Sequence, residues 1–258
     1  MPRSDSSPVQ RRLLGSAVAL LLAGGFLVAC EDQVPTTAAP GAATSTPTTE
    51  SAPQPTSAAP TTEQTALAAV DLLAVKGRAQ VNDYDRDLFG QAWLDVDRNG
   101  CDTRNDILRR DLTDVVLKPG THGCAVLTGI LEDPYSGHEI HFQRGVATSS
   151  KVQIDHVVAL ADAWQKGART WSEARREQFA NDPLNLLAVD GPLNQQKGAG
   201  DAATWLPPTR AYRCDYTARI VAVKVKYALR VTAAERDALR RVLGECSDQP
   251  LPTSVGRG

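Results

Sequence analysis

This chain lacks the surplus of positive charge that holds a polyanion by electrostatics alone. Its 258 residues carry 28 Lys and Arg against 30 Asp and Glu, a formal net charge of −2. A nucleic-acid ligand would therefore have to be held by a few local cations and a metal. Cys-x-x-Cys pairs are missing too, which argues against a structural zinc. The one long apolar run, Leu13 to Ala29, is too short and glycine-rich to span a bilayer comfortably. Residues 31–65 have no Lys or Arg and lack the apolar side chains that would offset their ordering entropy.

Those first residues read as an address and a tether. Arg3, Arg11 and Arg12 precede the apolar run, and Leu27-Val28-Ala29-Cys30 resembles a bacterial lipobox. Small residues there suit a signal peptidase, and the Cys30 thiol is the atom that would take the diacylglycerol. The expected organisation is a lipoprotein signal over 1–29, a Thr/Pro/Ala/Ser-rich tether over 30–65, a domain over 66–250 and a tail over 251–258. Such a chain is exported and meets the membrane only through lipid on Cys30, at the outer face of the cell membrane.

The remaining length is enough for one well-cored domain. Its charge is uneven: residues 66–150 hold 9 basic and 13 acidic side chains, while 151–230 hold 12 and 8. Four cysteines follow Cys30, namely Cys101, Cys124, Cys214 and Cys246. An even number in an exported chain favours disulfides. Three pairings are open, of which 101–124 with 214–246 is the most local.

Apolar spacing at Leu67, Val70, Leu72 and Leu73 predicts an opening helix over 64–78. The stretch from Tyr84 to Arg110, around Trp93, reads as loop followed by a short helix. Short strands are expected at 115–117, 125–130, 139–143 and 152–157, with a turn at 133–137. Helices are expected over 159–166 and 172–179. Residues 185–190 read as a strand, Gly191-Pro192 as a turn, and Leu193 onward as a brief helix. Residues 216–230 look helical, but β-branched side chains at 220, 221, 223 and 225 leave a strand open. Thr232-Ala233-Ala234-Glu235 has the form of a capping box that starts a last helix to about Leu243. The class is α+β.

One constellation carries chemistry. Ile154-Asp155-His156-Val157-Val158 is followed by Asn185-Leu186-Leu187-Ala188-Val189 and then by Asn194-Gln195-Gln196-Lys197-Gly198. An acidic residue directly before a histidine offers one carboxylate ligand and one general base at a single spot. Two asparagines nine residues apart, ending in Asn-x-x-Lys, can close the other side of a metal site. Hydrolysing a phosphodiester needs an activated water, charge relief on the phosphoryl oxygens and help for the leaving oxygen. A histidine with its ordinary pKa of about 6.5 can take the water's proton. Mg²⁺ keeps several waters, so one Asp and one Asn carbonyl suffice as protein ligands.

In order and spacing these motifs resemble the His-Asn-His (HNH, ββα-metal) endonuclease signature. More narrowly, they are similar to the DUF1524 type related to the C-terminal part of the GmrSD restriction enzymes, in its secreted actinobacterial lipoprotein members. The similarity extends through Ala163-Trp164, Asn181-Asp182 and Trp205-Leu206-Pro207-Pro208. Upstream it takes in Trp93-x-Asp95, Cys101-Asp102-Thr103-Arg104 and Asp133-Pro134-Tyr135-Ser136-Gly137. The resemblance implies a ββα-metal nuclease core with added helices and short strands. It also implies a metal-dependent endonuclease acting on DNA, with RNA as a second substrate. By the same resemblance His156 is the base, Asp155 and Asn194 are the metal ligands, and Asn185 braces the loop bearing the histidine. The metal would be Mg²⁺, with Mn²⁺ or Ca²⁺ as alternatives.

Two cations complete the expected set. Lys197, one helical turn past Asn194, is expected to point the same way and meet the scissile phosphate. Arg104, beside a structural cysteine, is a candidate to clamp a phosphate bidentately. A different reading starts from Asp95-Val96-Asp97-Arg98-Asn99-Gly100, which fits the first half of a calcium loop with Asp106 in the twelfth position. It would make the chain a calcium-stabilised adhesion domain; a second alternative is a noncatalytic envelope lipoprotein that binds a ligand. The intact set Asp155, His156, Asn185 and Asn194 favours the enzyme. His122, His138 and His141 read as turn and strand residues, with His141 a candidate to support the site from behind. Trp164, Trp171 and Trp205 read as core and lid packing.

Overall fold

A computed structural model describes residues 64–252. The export signal, Cys30 and nearly all of the tether and tail lie outside the described residues. The architecture is mixed α+β. Strands β1 (Thr113–Leu117), β2 (Val126–Glu132) and β3 (Glu139–Gln143) form one antiparallel sheet in chain order. Strands β4 (Val152–His156) and β5 (Leu186–Asp190) form a separate antiparallel pair. The helices are α1 (Ala66–Val70), α2 (Thr103–Asp111), α3 (Leu160–Lys166), α4 (Glu173–Ala180), α5 (Gly191–Lys197), α6 (Arg213–Tyr227) and α7 (Ala233–Leu243).

The β4–β5 pair lies between two apolar clusters. Successive side chains of a strand face opposite ways. β5 therefore gives Leu186 and Ala188 to a small cluster with Ile107, Leu108 and Phe142. Its Leu187 and Val189 go to the large cluster shared with α1, α3, α4, α6 and α7. A strand with both faces covered reads as an unbroken apolar run, and Leu186-Leu187-Ala188-Val189 is one.

Helix starts follow from side-chain oxygens that accept the first free backbone N–H groups. Asp102 accepts from Asn105 N at 2.8 Å, Ser172 from Arg175 N at 3.4 Å and Thr232 from Glu235 N at 3.1 Å. The expected reciprocal half of the last cap is absent. Glu235 turns inward to Lys166 and Lys224 instead of back to the cap. Asp190 accepts from Leu193 N at 2.8 Å, so α5 starts at Gly191 with Pro192 in its first turn. The expected Gly191-Pro192 turn is thus the helix start itself, a position that suits a residue with no N–H to lose.

One further expectation changes, and one open choice is decided. The opening helix closes at Val70 rather than near 78, and Val75 leaves it to bridge Val231 in parallel. The ambiguous C-terminal stretch is the helix α6 in spite of its β-branched residues. Ile220, Val221 and Val223 are buried there, and packing against α1 and α7 outweighs their modest propensity cost. The disulfides pair Cys101 with Cys124 and Cys214 with Cys246.

Candidate active site

Strand, strand and helix build the site directly. Gln153 and Asp155 are two apart on β4 and share a face; Asn194 and Lys197 are three apart on α5 and share another. The two faces meet. Gln153 Oε1 accepts from Asn194 Nδ2 at 2.9 Å, and Asp155 Oδ1 accepts from Lys197 Nζ at 2.9 Å. With its amide nitrogen held by Gln153, Asn194 has its carbonyl oxygen free of that contact. Lys197 also donates to His156 O at 2.8 Å and is buried. This corrects the expectation that Lys197 meets a phosphate: the face it shares with Asn194 lies on β4, so its ammonium is spent on Asp155.

A cleft of about 480 Å³ opens beside this contact, lined among others by Asp155, His156, Asn194, Arg104, Arg86 and Trp93. It brings together four of the residues singled out by sequence and leaves Asn185 and Lys197 behind its wall. Asn185 closes the turn after the histidine: its Oδ1 accepts from Val158 N at 2.8 Å and its Nδ2 donates to Val158 O at 3.2 Å. The chain just before β5 is tied down by Arg219, which donates to Leu184 O and to Leu186 O, each at 2.6 Å.

His156 is buried and its Nε2 lies 2.8 Å from Ala180 O. A carbonyl can only accept, so Nε2 carries the proton and Nδ1 keeps a bare lone pair. Burial holds the imidazole down at about 4, with Arg86 and Lys197 adding to the effect and Asp155 and the Ala180 carbonyl opposing it. The ring is neutral at pH 7. Trp93 stacks against it, ring centres 6.4 Å apart and planes within 18°. Trp93 adopts a left-handed φ of 61°, and Asn181 fixes its loop by accepting from Leu94 N and donating to Gln91 O.

Tyr135 supplies the second restraint on Asp155. Its hydroxyl donates to Asp155 Oδ2 at 2.6 Å, and burial, with Asp155 adding to it, raises its pKa well above the ordinary value, so it stays a donor. The turn at 133–137 aims it there. Asp133 Oδ2 accepts from Ser136 N, and its Oδ1 accepts from Asp190 N at 2.9 Å, docking the turn on the end of β5. Tyr135, Gln153 and Arg86 carried no role in the sequence reading. Gln153 was within reach of it, since a residue two before a site carboxylate on a strand shares its face. Arg86 gives no such signal.

Arg104 makes no ion pair among the described residues. Burial lowers its pKa, Arg144 pushes it further the same way, and it stands 5.9 Å from the Phe142 ring centre. Exposed Arg86 on the opposite wall is likewise unpaired there. Among the described residues no group of three His, Cys, Asp or Glu converges to hold a metal. The oxygen donors lining the cleft include the Asp155 carboxylate and the amides of Asn194, Gln153 and Gln195, and such oxygens suit a hard, well-hydrated divalent ion. The 95–106 loop uses its carboxylates internally. Asp95 accepts from Asn99 N and Gly100 N, and Asn99 donates to Asp97 and Asp106. His141 is exposed on β3 against Glu139, far from any supporting contact with His156. Trp164 is buried in the large cluster, and Trp171 and Trp205 pack on its margin.

A strand pair and a helix thus present a histidine, a carboxylate and an amide to one cleft. The chain belongs to the family of GmrSD restriction endonuclease C-terminal domains, whose model matches residues 102–242. A protein of Arthroderma benhamiae, described as an uncharacterized secreted protein, is 36% identical over 197 residues, which cover 76% of this chain and 91% of that one. No solved structure matches.

Proposed function

We propose that this chain is a metal-dependent HNH endonuclease that hydrolyses phosphodiester bonds of DNA, and of RNA as a second substrate, outside the cytoplasm. One observation carries the reading: His156, whose Nε2 is held by Ala180 O and whose Nδ1 is left bare, lines one cleft with Asp155, Asn194 and two arginines that have no ion-pair partner among the described residues. A water in the cleft attacks phosphorus, His156 Nδ1 takes its proton, and the bond to the bridging oxygen breaks. Arg104 and Arg86 bind the non-bridging phosphoryl oxygens. Asp155 and Asn194 would hold Mg²⁺, which supplies Lewis-acid charge to the phosphate and the leaving oxygen. Tyr135, Gln153, Asn185 and Trp93 keep the ligands and the base in place. Export is in line with the secreted relative, and lipid attached to Cys30 would hold the domain at the outer face of the membrane.

Plasmid digestion by the full chain tests the reading. Cleavage should stop in EDTA and return with Mg²⁺, and Asp155→Ala should shift the Mg²⁺ titration to higher concentration. Cleavage indifferent to EDTA would remove the metal, and no cleavage of DNA or RNA with any divalent ion would remove the enzyme. Cys30→Ser should release the protein from the membrane fraction; a variant that stays bound would remove the lipid anchor.

A further inference from the structure

The charges around the cleft are unusual for a cation site. Among the described residues that line it, Asp155 is the only acid. That acid is already matched: the buried Lys197 ammonium lies 2.9 Å from Oδ1, and the Tyr135 hydroxyl lies 2.6 Å from Oδ2. Arg86 and Arg104 add two positive charges to the walls, with no acid paired to either among the described residues. Asn194 contributes a neutral oxygen. A carboxylate has about four lone-pair positions, so Asp155 can still coordinate an ion, but the surroundings as a whole repel a divalent cation. The missing negative charge has to arrive with the substrate.

We infer that the cleft takes a divalent cation and a phosphodiester as a pair, each raising the affinity for the other, and that Lys197 is the positioning residue that sets this coupling by cancelling the charge of Asp155. The inference rests on the endonuclease reading above and specifies how its site is loaded. Without the lysine, Asp155 would offer a full negative charge and bind the ion alone. With it, the free protein holds the ion weakly and completes its coordination only when an anionic oxygen enters. Binding linkage is reciprocal, so the nucleic acid gains the same factor from the ion.

The test uses the full chain carrying His156→Ala, so that substrate survives, with Mn²⁺ as the ion. Free Mn²⁺ is read by electron paramagnetic resonance with and without a saturating DNA oligonucleotide, after subtracting ion bound by the oligonucleotide alone. The oligonucleotide should raise the Mn²⁺ affinity by roughly 5- to 150-fold, the ordinary range of coupling between two ligands. Added Lys197→Met should tighten Mn²⁺ binding by the free protein and shrink the coupling, whereas Lys197→Arg should keep it. Should Lys197→Met fail to fold, Lys197→Gln removes the charge while keeping a donor and gives the same readout. Equal Mn²⁺ affinity with and without oligonucleotide overturns the coupling and leaves the endonuclease reading standing. Coupling that survives the loss of the lysine's charge overturns its role. No Mn²⁺ bound in either arm sinks both, because the ion would then lie elsewhere.

Discussion

Two buried lysine–carboxylate assemblies lie in the same domain and are wired differently. In the helical core, Lys166 contacts Asp162 at 2.6 Å, Asp201 at 2.8 Å and Glu235 at 2.6 Å. Lys224 contacts Asp162 at 3.0 Å and Glu235 at 2.9 Å, and Arg78 contacts Asp162 at 2.9 Å and Asp201 at 2.6 Å. Three cations meet three acids, and both oxygens of Asp162 and of Glu235 are matched by ammonium groups. At the cleft, Lys197 meets Asp155 alone, with Tyr135 on the other oxygen. The first assembly is closed and joins α3, α6 and α7. The second has acceptor positions left over beside open space. A buried ion pair is weak evidence for stability by itself; what separates structural from functional use here is whether the acid has anything left to give.

That contrast can be broken or sharpened by experiment. The largest effect is expected at His156: His156→Ala should lower the rate by about 10²- to 10⁴-fold, the usual worth of a general base. A variant with near wild-type turnover would take His156 out of the chemistry. Lys166→Met leaves three buried acids with two cations between them and should cost about 3–5 kcal/mol in unfolding free energy. Lys197→Met should cost less, since Asp155 borders the cleft and can be hydrated from it; equal losses in urea melts would erase the distinction. Gln153→Leu frees the Asn194 amide to rotate and should weaken Mn²⁺ binding by about 10- to 100-fold, as losing a residue that orients a ligand does. An unchanged Mn²⁺ titration would mean that Gln153 does not orient Asn194.

The smallest effect is a slope in acid. Burial works to raise the Asp162 pKa, yet Lys224 and Lys166 hold it down at about 2, below its ordinary 3.8. A carboxylate held low adds stability that is complete above its unfolded pKa and is lost as pH falls through the folded one. Thermal melts should therefore drop between pH 3.8 and about 2, and Asp162→Asn should flatten that part of the curve. A slope in that window that Asp162→Asn leaves intact would assign it to other carboxylates.

Much of the fold was legible because local chemistry and burial agree. The helix starts at Ser172 and Thr232, the turn at 133–137 and the apolar run of β5 all appear where the sequence suggests. Residues 216–230 look helical along the chain, and packing under α1 and α7 decides against the strand that their β-branched side chains left open. The reading failed where tertiary contact overrides local preference: Glu235 abandons its cap for a charge network invisible along the chain. At the site, Asp155, His156, Asn194 and Arg104 reach one cleft from three elements, β4, α5 and α2. Lys197 misled because helical spacing gives the direction of a side chain but not which neighbour lies in that direction. Tyr135 stands in a quoted motif that gives it no role, and Arg86 lies outside every motif, so only the folded chain brings them to the site.

The geometry of β4, β5 and α5 also bears on which lengths of chain can change. Asp155 pairs with Leu187 and His156 with Leu186 in the ladder, and α5 follows β5 with no loop between them. The span from histidine to asparagine is thus measured out by backbone hydrogen bonds rather than by a hinge. One residue added or removed between 186 and 190 turns the apolar run over and swings Asn194 and Lys197 off their partners together. The segment after Gly198 carries no such ladder, but Asp201 ties it to Lys166 and Arg78, so tolerance of insertions begins past that residue.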